Sequence, residues 1–133
     1  MKPSKILLVE DHEDTRAFIV FVLEQAKYQV FSSDSIAEAL ILAKQEHPDL
    51  FVLDSLLPDG NGIELCKSLH QLTPKTPILF CSARAYEADK QEALMSGALA
   101  YLVKPVDLNL LRSTVAELLM LGEAGRVPAT VFR

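Results

Sequence analysis

Leu50-Phe51-Val52-Leu53 is an unbroken apolar run that stops at Asp54. A strand with one face in water alternates apolar and polar residues. A strand apolar throughout has both faces covered, as in a parallel sheet layered between helices. The same figure recurs along the chain. Upstream, Ile6-Leu7-Leu8-Val9 ends in Glu10-Asp11; downstream, Ile78-Leu79-Phe80-Cys81 ends in Ser82, and Ala100 to Val103 ends in Lys104-Pro105. A further short strand is expected over Tyr28 to Ser32.

The segments between these runs read as helices. Glu13 to Ala26 has helical length and a wide apolar face of Ala17, Phe18, Phe21 and Val22. Ser35 and Glu38 form a capping-box pair opening a helix through about Gln45, and Pro48 closes that connection. The turn Pro58-Asp59-Gly60-Asn61-Gly62 leads into a helix ending near His70. Pro74 and Pro77 bracket the next loop, Glu87 to Ser96 is helical, and Gly97 sits where a left-handed cap is expected. Asp107 can cap a last helix carrying Leu108, Leu111, Val115 and Leu118 on one face. Leu110, Thr114 and Met120 lie off that stripe and form a candidate interaction patch. Five β-α units with right-handed crossovers give an α/β fold: a doubly wound, five-stranded parallel sheet of order 2-1-3-4-5, the flavodoxin-like (βα)5 arrangement. One domain over residues 1–121 is expected, with 122–133 as a C-terminal tail or linker stub.

Composition agrees. Of 133 residues, 50% are hydrophobic and 23% charged, enough apolar material for a full core and against intrinsic disorder. The apolar run Phe18 to Leu23 is far short of the ~20 residues of a membrane span. Only four apolar residues separate Lys5 from Glu10, so the N-terminus does not read as a secretory signal, and a cytoplasmic location is expected. A net charge of −5 argues against broad nucleic-acid or anionic-membrane binding by this chain alone. Cys66 and Cys81 lack ligand-like spacing and read as reduced, buried small hydrophobes.

The chemistry lies at the strand ends. In a 2-1-3-4-5 sheet the first, third, fourth and fifth strands are neighbours, so Glu10, Asp11, Asp54, Ser82 and Lys104 come to one rim. Three adjacent carboxylates need compensating charge. A hard divalent cation such as Mg²⁺ supplies it, and Lys104 supplies more. An aspartate among a metal, a lysine and a hydroxyl is set up as a phosphoryl acceptor. Singly, each residue has an ordinary explanation: a turn or cap for Asp54, a solvated helix start for Glu10-Asp11, loop positions for Ser82 and Lys104-Pro105. The combination is what points to a site.

The segments LLVEDHEDTR (7–16), FVLDSLLPDGNG (51–62), ILFCSA (78–83) and GALAYLVKP (97–105) resemble the receiver domain of bacterial two-component response regulators, over roughly residues 5 to 120, with the stand-alone chemotaxis-type regulators as a likeness. The resemblance implies that Asp54 accepts the phosphoryl group. It implies that Asp11 binds Mg²⁺ directly, with help from Glu10 through water and from the backbone carbonyl of Leu56. Lys104 then contacts the phosphoryl group, and its bond to Pro105 is commonly cis. The Ser82 hydroxyl moves toward the phosphoryl group, and Tyr101, three residues before the lysine, is the aromatic switch. The pattern from residues alone would also allow Tyr101 to be plain core. Implied partners are a histidine kinase or histidine phosphotransfer protein and a downstream protein target, with output through the fourth helix, fifth strand and fifth helix. Phosphorylation-dependent homodimerisation is left open. The domain assists its own phosphorylation and dephosphorylation but acts on no separate substrate, so it is not read as an enzyme. Leu56 and Arg84, two residues after the acceptor and the hydroxyl, occupy positions that set phosphoryl lifetime. Leucine cannot orient an attacking water and arginine can cover phosphoryl oxygens, so slow self-hydrolysis is expected. The acidic pair departs from the family's Asp-Asp in having Glu10, a tolerated variant.

Two other readings compete. A haloacid-dehalogenase-like phosphohydrolase needs a second carboxylate two residues after its nucleophile, and Leu56 stands there. A flavin- or nucleotide-binding module would use a glycine-rich turn, but after Gly60-Asn61-Gly62 the third glycine position holds Leu65. The tail, with no helix-turn-helix, points to a stand-alone or N-terminal receiver.

Overall fold

The computed structural model describes residues 2–125. Its elements run β1 (Lys5–Val9), α1 (Glu13–Gln25), β2 (Gln29–Ser33), α2 (Ile36–Glu46), β3 (Leu50–Leu53), α3 (Gly62–Leu72), β4 (Ile78–Ser82), α4 (Glu87–Met95), β5 (Ala100–Val103) and α5 (Leu108–Glu123). A small antiparallel hairpin, Leu56–Leu57 with Gly60–Asn61, sits between β3 and α3, where sequence reasoning saw only a turn. The five main strands are parallel in the order β2-β1-β3-β4-β5, the expected 2-1-3-4-5.

Successive residues of a strand point to opposite faces, so each central strand feeds two cores. Ile6, Leu8, Val52, Leu79 and Cys81 pack on one face with Ile19, Val22 and Leu23 of α1 and Leu111, Val115 and Leu118 of α5. Leu7, Val9, Phe51, Leu53 and Phe80 pack on the other with Ala39 and Ala43 of α2, Leu65 and Leu69 of α3, and Ala93 of α4. Both cysteines are buried and free, as expected, and burial pushes each thiol up to about 12. Ser35 caps α2 by accepting from the Glu38 N–H, Asp107 caps α5 through Leu110, and Gly97 has φ +120°. Among the described residues no helix is long and apolar enough to cross a membrane.

Three local expectations are corrected. The buried face of α1 is Ile19, Val22 and Leu23, while Ala17, Phe18 and Phe21 face water, with Phe21 60% exposed. The run Phe18 to Leu23 is apolar all round, so periodicity could not choose a face; the packing of α1 on the sheet does. Thr114 is buried and so leaves the candidate patch, because it stands three residues after Leu111 and four before Leu118, on the same stripe. Leu110 and Met120 are exposed as expected. Helix α5 continues to Glu123, past the expected boundary at 121, since Gly122 packs tightly against Pro77 and stays helical. Residues 126–133 of the expected tail lie outside the described residues.

Candidate functional site

The carboxyl ends of β1, β3, β4 and β5 form one rim. After β1 the chain turns sharply. The Glu10 N–H extends the β1–β2 ladder to the Ser33 carbonyl at 2.9 Å. Arg16, one turn into α1, folds back so that its Nη1 donates to the carbonyls of Glu10 (2.9 Å) and Asp11 (3.3 Å). His12 caps α1 through Nδ1, which accepts from the Thr15 N–H, and its own N–H donates to Glu10 Oε2 at 3.1 Å. The acidic corner is therefore fixed from both sides.

Asp54 follows β3 and continues the ladder, its N–H donating to the Val9 carbonyl. Its carboxylate accepts from the Ser55 N–H at Oδ1 (2.6 Å) and from Lys104 Nζ at Oδ2 (3.0 Å). Asp54 is half-buried, Asp11 exposed and Glu10 buried. The Lys104 ammonium also donates to Glu10 Oε1, an ion pair that sequence reasoning did not foresee. The Lys104–Pro105 bond is cis, as the resemblance implied.

One carboxylate oxygen from each of Glu10, Asp11 and Asp54 lies within 4.8 Å of the others. Burial raises the Glu10 carboxyl above its ordinary value, against the lowering effect of its bonds to Lys104 and His12. Burial also pulls at Lys104, but its hydrogen bonds to Glu10 and Asp54 win, and the ammonium is held protonated. Three acids and one lysine leave negative charge uncompensated. Oxygen-only donors with one open, exposed member suit a hard divalent cation.

Ser82 ends β4 and is buried, and its Oγ accepts from the Arg84 N–H at 3.1 Å. Tyr101 lies inward, 5% exposed, stacked on Phe80 at 5.8 Å, with its hydroxyl donating to the Arg84 carbonyl at 2.7 Å. The Arg84 side chain points to solvent and pairs with Asp89 at 3.4 Å. Leu56 is 59% exposed on the hairpin two residues after Asp54. Glu10, Asp11, Asp54 and Lys104 thus converge as a cluster, while Ser82, Arg84 and Tyr101 form a hydrogen-bonded group of their own on β4, its following loop and β5. Sequence reasoning missed Arg16 and Asp59. Arg16 carried one usable signal, a cation one turn after an acidic pair at a helix start; Asp59 read only as a turn residue.

The family model for the response regulator receiver domain matches residues 6–116. The KDP operon transcriptional regulatory protein KdpE of Escherichia coli is 36% identical over 94% of this chain and 55% of its own length. The alkaline phosphatase synthesis transcriptional regulatory protein PhoP of Bacillus subtilis is 39% identical over 90% of this chain and 50% of its own. The chain therefore spans about half the length of these two curated relatives. Among solved structures, a CheY-like response regulator receiver domain protein from Methanospirillum hungatei superposes with a TM-score of 0.87 at 29% identity, covering 92% of this chain and 98% of that one. Chemotaxis protein CheY4 of Vibrio cholerae gives 0.83 at 29% identity, covering 87% and 98%. Fold, strand-end chemistry and these likenesses agree: the chain belongs to the response regulator receiver domain family.

Proposed function

We propose that this domain takes a phosphoryl group from the phosphohistidine of a histidine kinase or histidine phosphotransfer protein onto Asp54, and that the modification changes binding to a downstream protein. The observation that carries the reading is the Lys104 ammonium shared between Glu10 and Asp54 in a three-carboxylate cluster. In the transfer, an Asp54 carboxylate oxygen bonds to phosphorus, the phosphorus–nitrogen bond breaks, and the imidazole leaves with that electron pair. Asp54 Oδ2 is already positioned by Lys104, whose charge can follow the transferred oxygens. Mg²⁺ would be held by Asp11, Asp54, the Leu56 carbonyl and Glu10, and when bound it neutralises phosphoryl oxygens.

The switch would run through Arg84, which is tied at both ends. Its N–H donates to Ser82 Oγ and its carbonyl accepts from the Tyr101 hydroxyl. A Ser82 hydroxyl drawn to a phosphoryl group releases the first bond, the loop shifts, and the second bond is biased with it. The output would pass through α4, β5 and α5, where Tyr86, Met95, Leu110 and Met120 are exposed. Phosphorylation-dependent pairing of two copies through that face is a branch of the same proposal. Leu56 and Arg84 would slow phosphoryl loss. The receiver unit is taken to run through the end of α5 at Glu123.

The test is intact mass after incubation with acetyl phosphate, with and without Mg²⁺, on wild type and Asp54→Asn. One added phosphoryl group that needs both Mg²⁺ and Asp54 supports the reading. An adduct that persists in Asp54→Asn removes Asp54 as acceptor. No adduct, together with no Mg²⁺ binding, overturns the site.

A further inference from the structure

The hairpin that follows Asp54 is anchored by a contact far away in sequence. Asp59, at its tip, turns its carboxylate onto the first turn of α2. Oδ1 accepts from the Ile36 N–H at 2.9 Å and Oδ2 from the Ala37 N–H at 3.1 Å. These are two of the orphan donors that every helix start presents, and the helix dipole favours a carboxylate there. The two bonds hold the Asp59 carboxyl below the usual aspartate range although the side chain is fully exposed. Gly60 completes the anchor. Its φ of +153° lays the backbone against α2 so closely that a Cβ would stand 2.8 Å from Ile36 Cδ1.

The contact runs on toward the acidic corner. Ser35, the N-cap of α2, is bound to Ser33 in both directions: Ser33 Oγ donates to the Ser35 carbonyl and accepts from the Ser35 N–H. Ser33 in turn accepts from the Glu10 N–H. At the other end, Leu56 and Leu57 pair with Asn61 and Gly60, so the tip holding α2 and the stem beside Asp54 belong to one hydrogen-bonded hairpin.

We infer that Asp59 is a positioning residue for the cation site: by docking the hairpin on α2 it fixes Leu56 relative to Asp54 and Glu10. This rests on the reading that Mg²⁺ binds at Asp11, Asp54 and the Leu56 carbonyl. Partners that orient metal ligands without touching the metal commonly govern affinity by about 10–100-fold. The two bonds here are solvent-exposed, so the lower end applies.

The experiment is calorimetric titration of Mg²⁺ into the full chain, as wild type, Asp59→Ala, Asp59→Asn and Ser35→Ala, with helicity and thermal midpoint read on each. Ser35→Ala weakens the α2 cap without touching the hairpin. Expected are a Kd about tenfold weaker in Asp59→Ala and about threefold weaker in Asp59→Asn, which keeps one acceptor. Ser35→Ala should bind as wild type despite a lower midpoint. Wild-type affinity in both Asp59 variants overturns the inference and leaves Asp59 as a helix cap only. Equal weakening in Ser35→Ala also overturns it, since helix stability alone would then explain the loss. If Asp59→Ala does not fold, Asp59→Asn decides. Absence of Mg²⁺ binding by wild type, or binding indifferent to Asp54→Asn, defeats the underlying reading instead.

Discussion

Replacing Lys104 with methionine keeps most of the unbranched stem of the side chain and removes its charge. In the folded protein the ammonium joins Glu10, which is 2% exposed, to Asp54, which is 14% exposed. Removing one partner of a buried pair costs about 3–5 kcal/mol. Lys104 is itself 19% exposed, so water offsets part of the loss and about 3 kcal/mol applies. For a domain of this size that lowers the thermal midpoint by about 12 °C. The pH dependence fixes the mechanism. Burial raises the Glu10 carboxyl above its ordinary 4.5 even with the lysine in place. A carboxyl whose pKa is raised by folding favours the acid form, so stability falls as pH climbs through the ordinary value and past the folded one. Without Lys104 the value rises further, so the deficit relative to wild type is constant at low pH and widens as pH climbs through the wild-type folded value, which lies above 4.5, toward the higher one of the variant. A divalent cation would replace the lost charge, so saturating Mg²⁺ should narrow the deficit. Differential scanning calorimetry across pH, with and without Mg²⁺, measures all three effects. A midpoint equal to wild type, or a deficit indifferent to both pH and Mg²⁺, would refute the charge argument.

Gly62 comes so close to Asp54 that a Cβ would stand 1.9 Å from the Asp54 carbonyl oxygen; Gly62→Ala should cost about 3 kcal/mol in urea unfolding and weaken Mg²⁺ binding, and wild-type values for both would show that the loop gives way freely. Leu56→Asn supplies a group able to orient water and should speed phosphoryl loss about tenfold, read as the decay of the intact-mass adduct; an unchanged half-life would remove Leu56 from the lifetime reading. Cys66 and Cys81, with thiols pushed up to about 12, should ignore Ellman's reagent in the native state and both react on unfolding, and a fast native phase would contradict their burial.

What the sequence disclosed and what it hid divide along a physical line. Strands apolar throughout, each closed by a polar residue, specify a covered parallel sheet, and sheet order then brings Glu10, Asp11, Asp54 and Lys104 together without any side-chain detail. Faces were harder. Phe18 and Phe21 belong to a stretch of α1, Phe18 to Leu23, that is apolar on all sides, so only the packing of Ile19, Val22 and Leu23 on the sheet decides which ring meets water. Long-range polar contacts were beyond reach. Nothing in the spacing of Asp59 and Ile36 says that a turn carboxylate caps a helix 23 residues upstream. The direction of Tyr101 was likewise hidden, because an aromatic with a polar tip fits either side of a rim, and the Arg84 carbonyl together with the Phe80 ring holds it inward.

The electrostatics of the rim explain why such a cluster suits a switch better than a stabilising ion pair. A buried pair is a weak source of stability, since desolvation offsets most of the attraction. Here the acids outnumber the lysine, and burial already holds Glu10 toward its acid form. The fold thus keeps a site whose acids outnumber its ammonium. A cation lowers the repulsion. A phosphoryl group on Asp54 would then add negative charge beside Lys104 and offer acceptors to the buried Ser82 hydroxyl, whose present bond is a single one from the Arg84 N–H. That bond is an ordinary neutral one worth about 1 kcal/mol, whereas hydrogen bonds to charged groups are worth about 1.5–3 kcal/mol. In the proposed switch, a Ser82 hydroxyl that must leave the Arg84 N–H to reach the phosphoryl group would gain this difference, and would return once the group is lost.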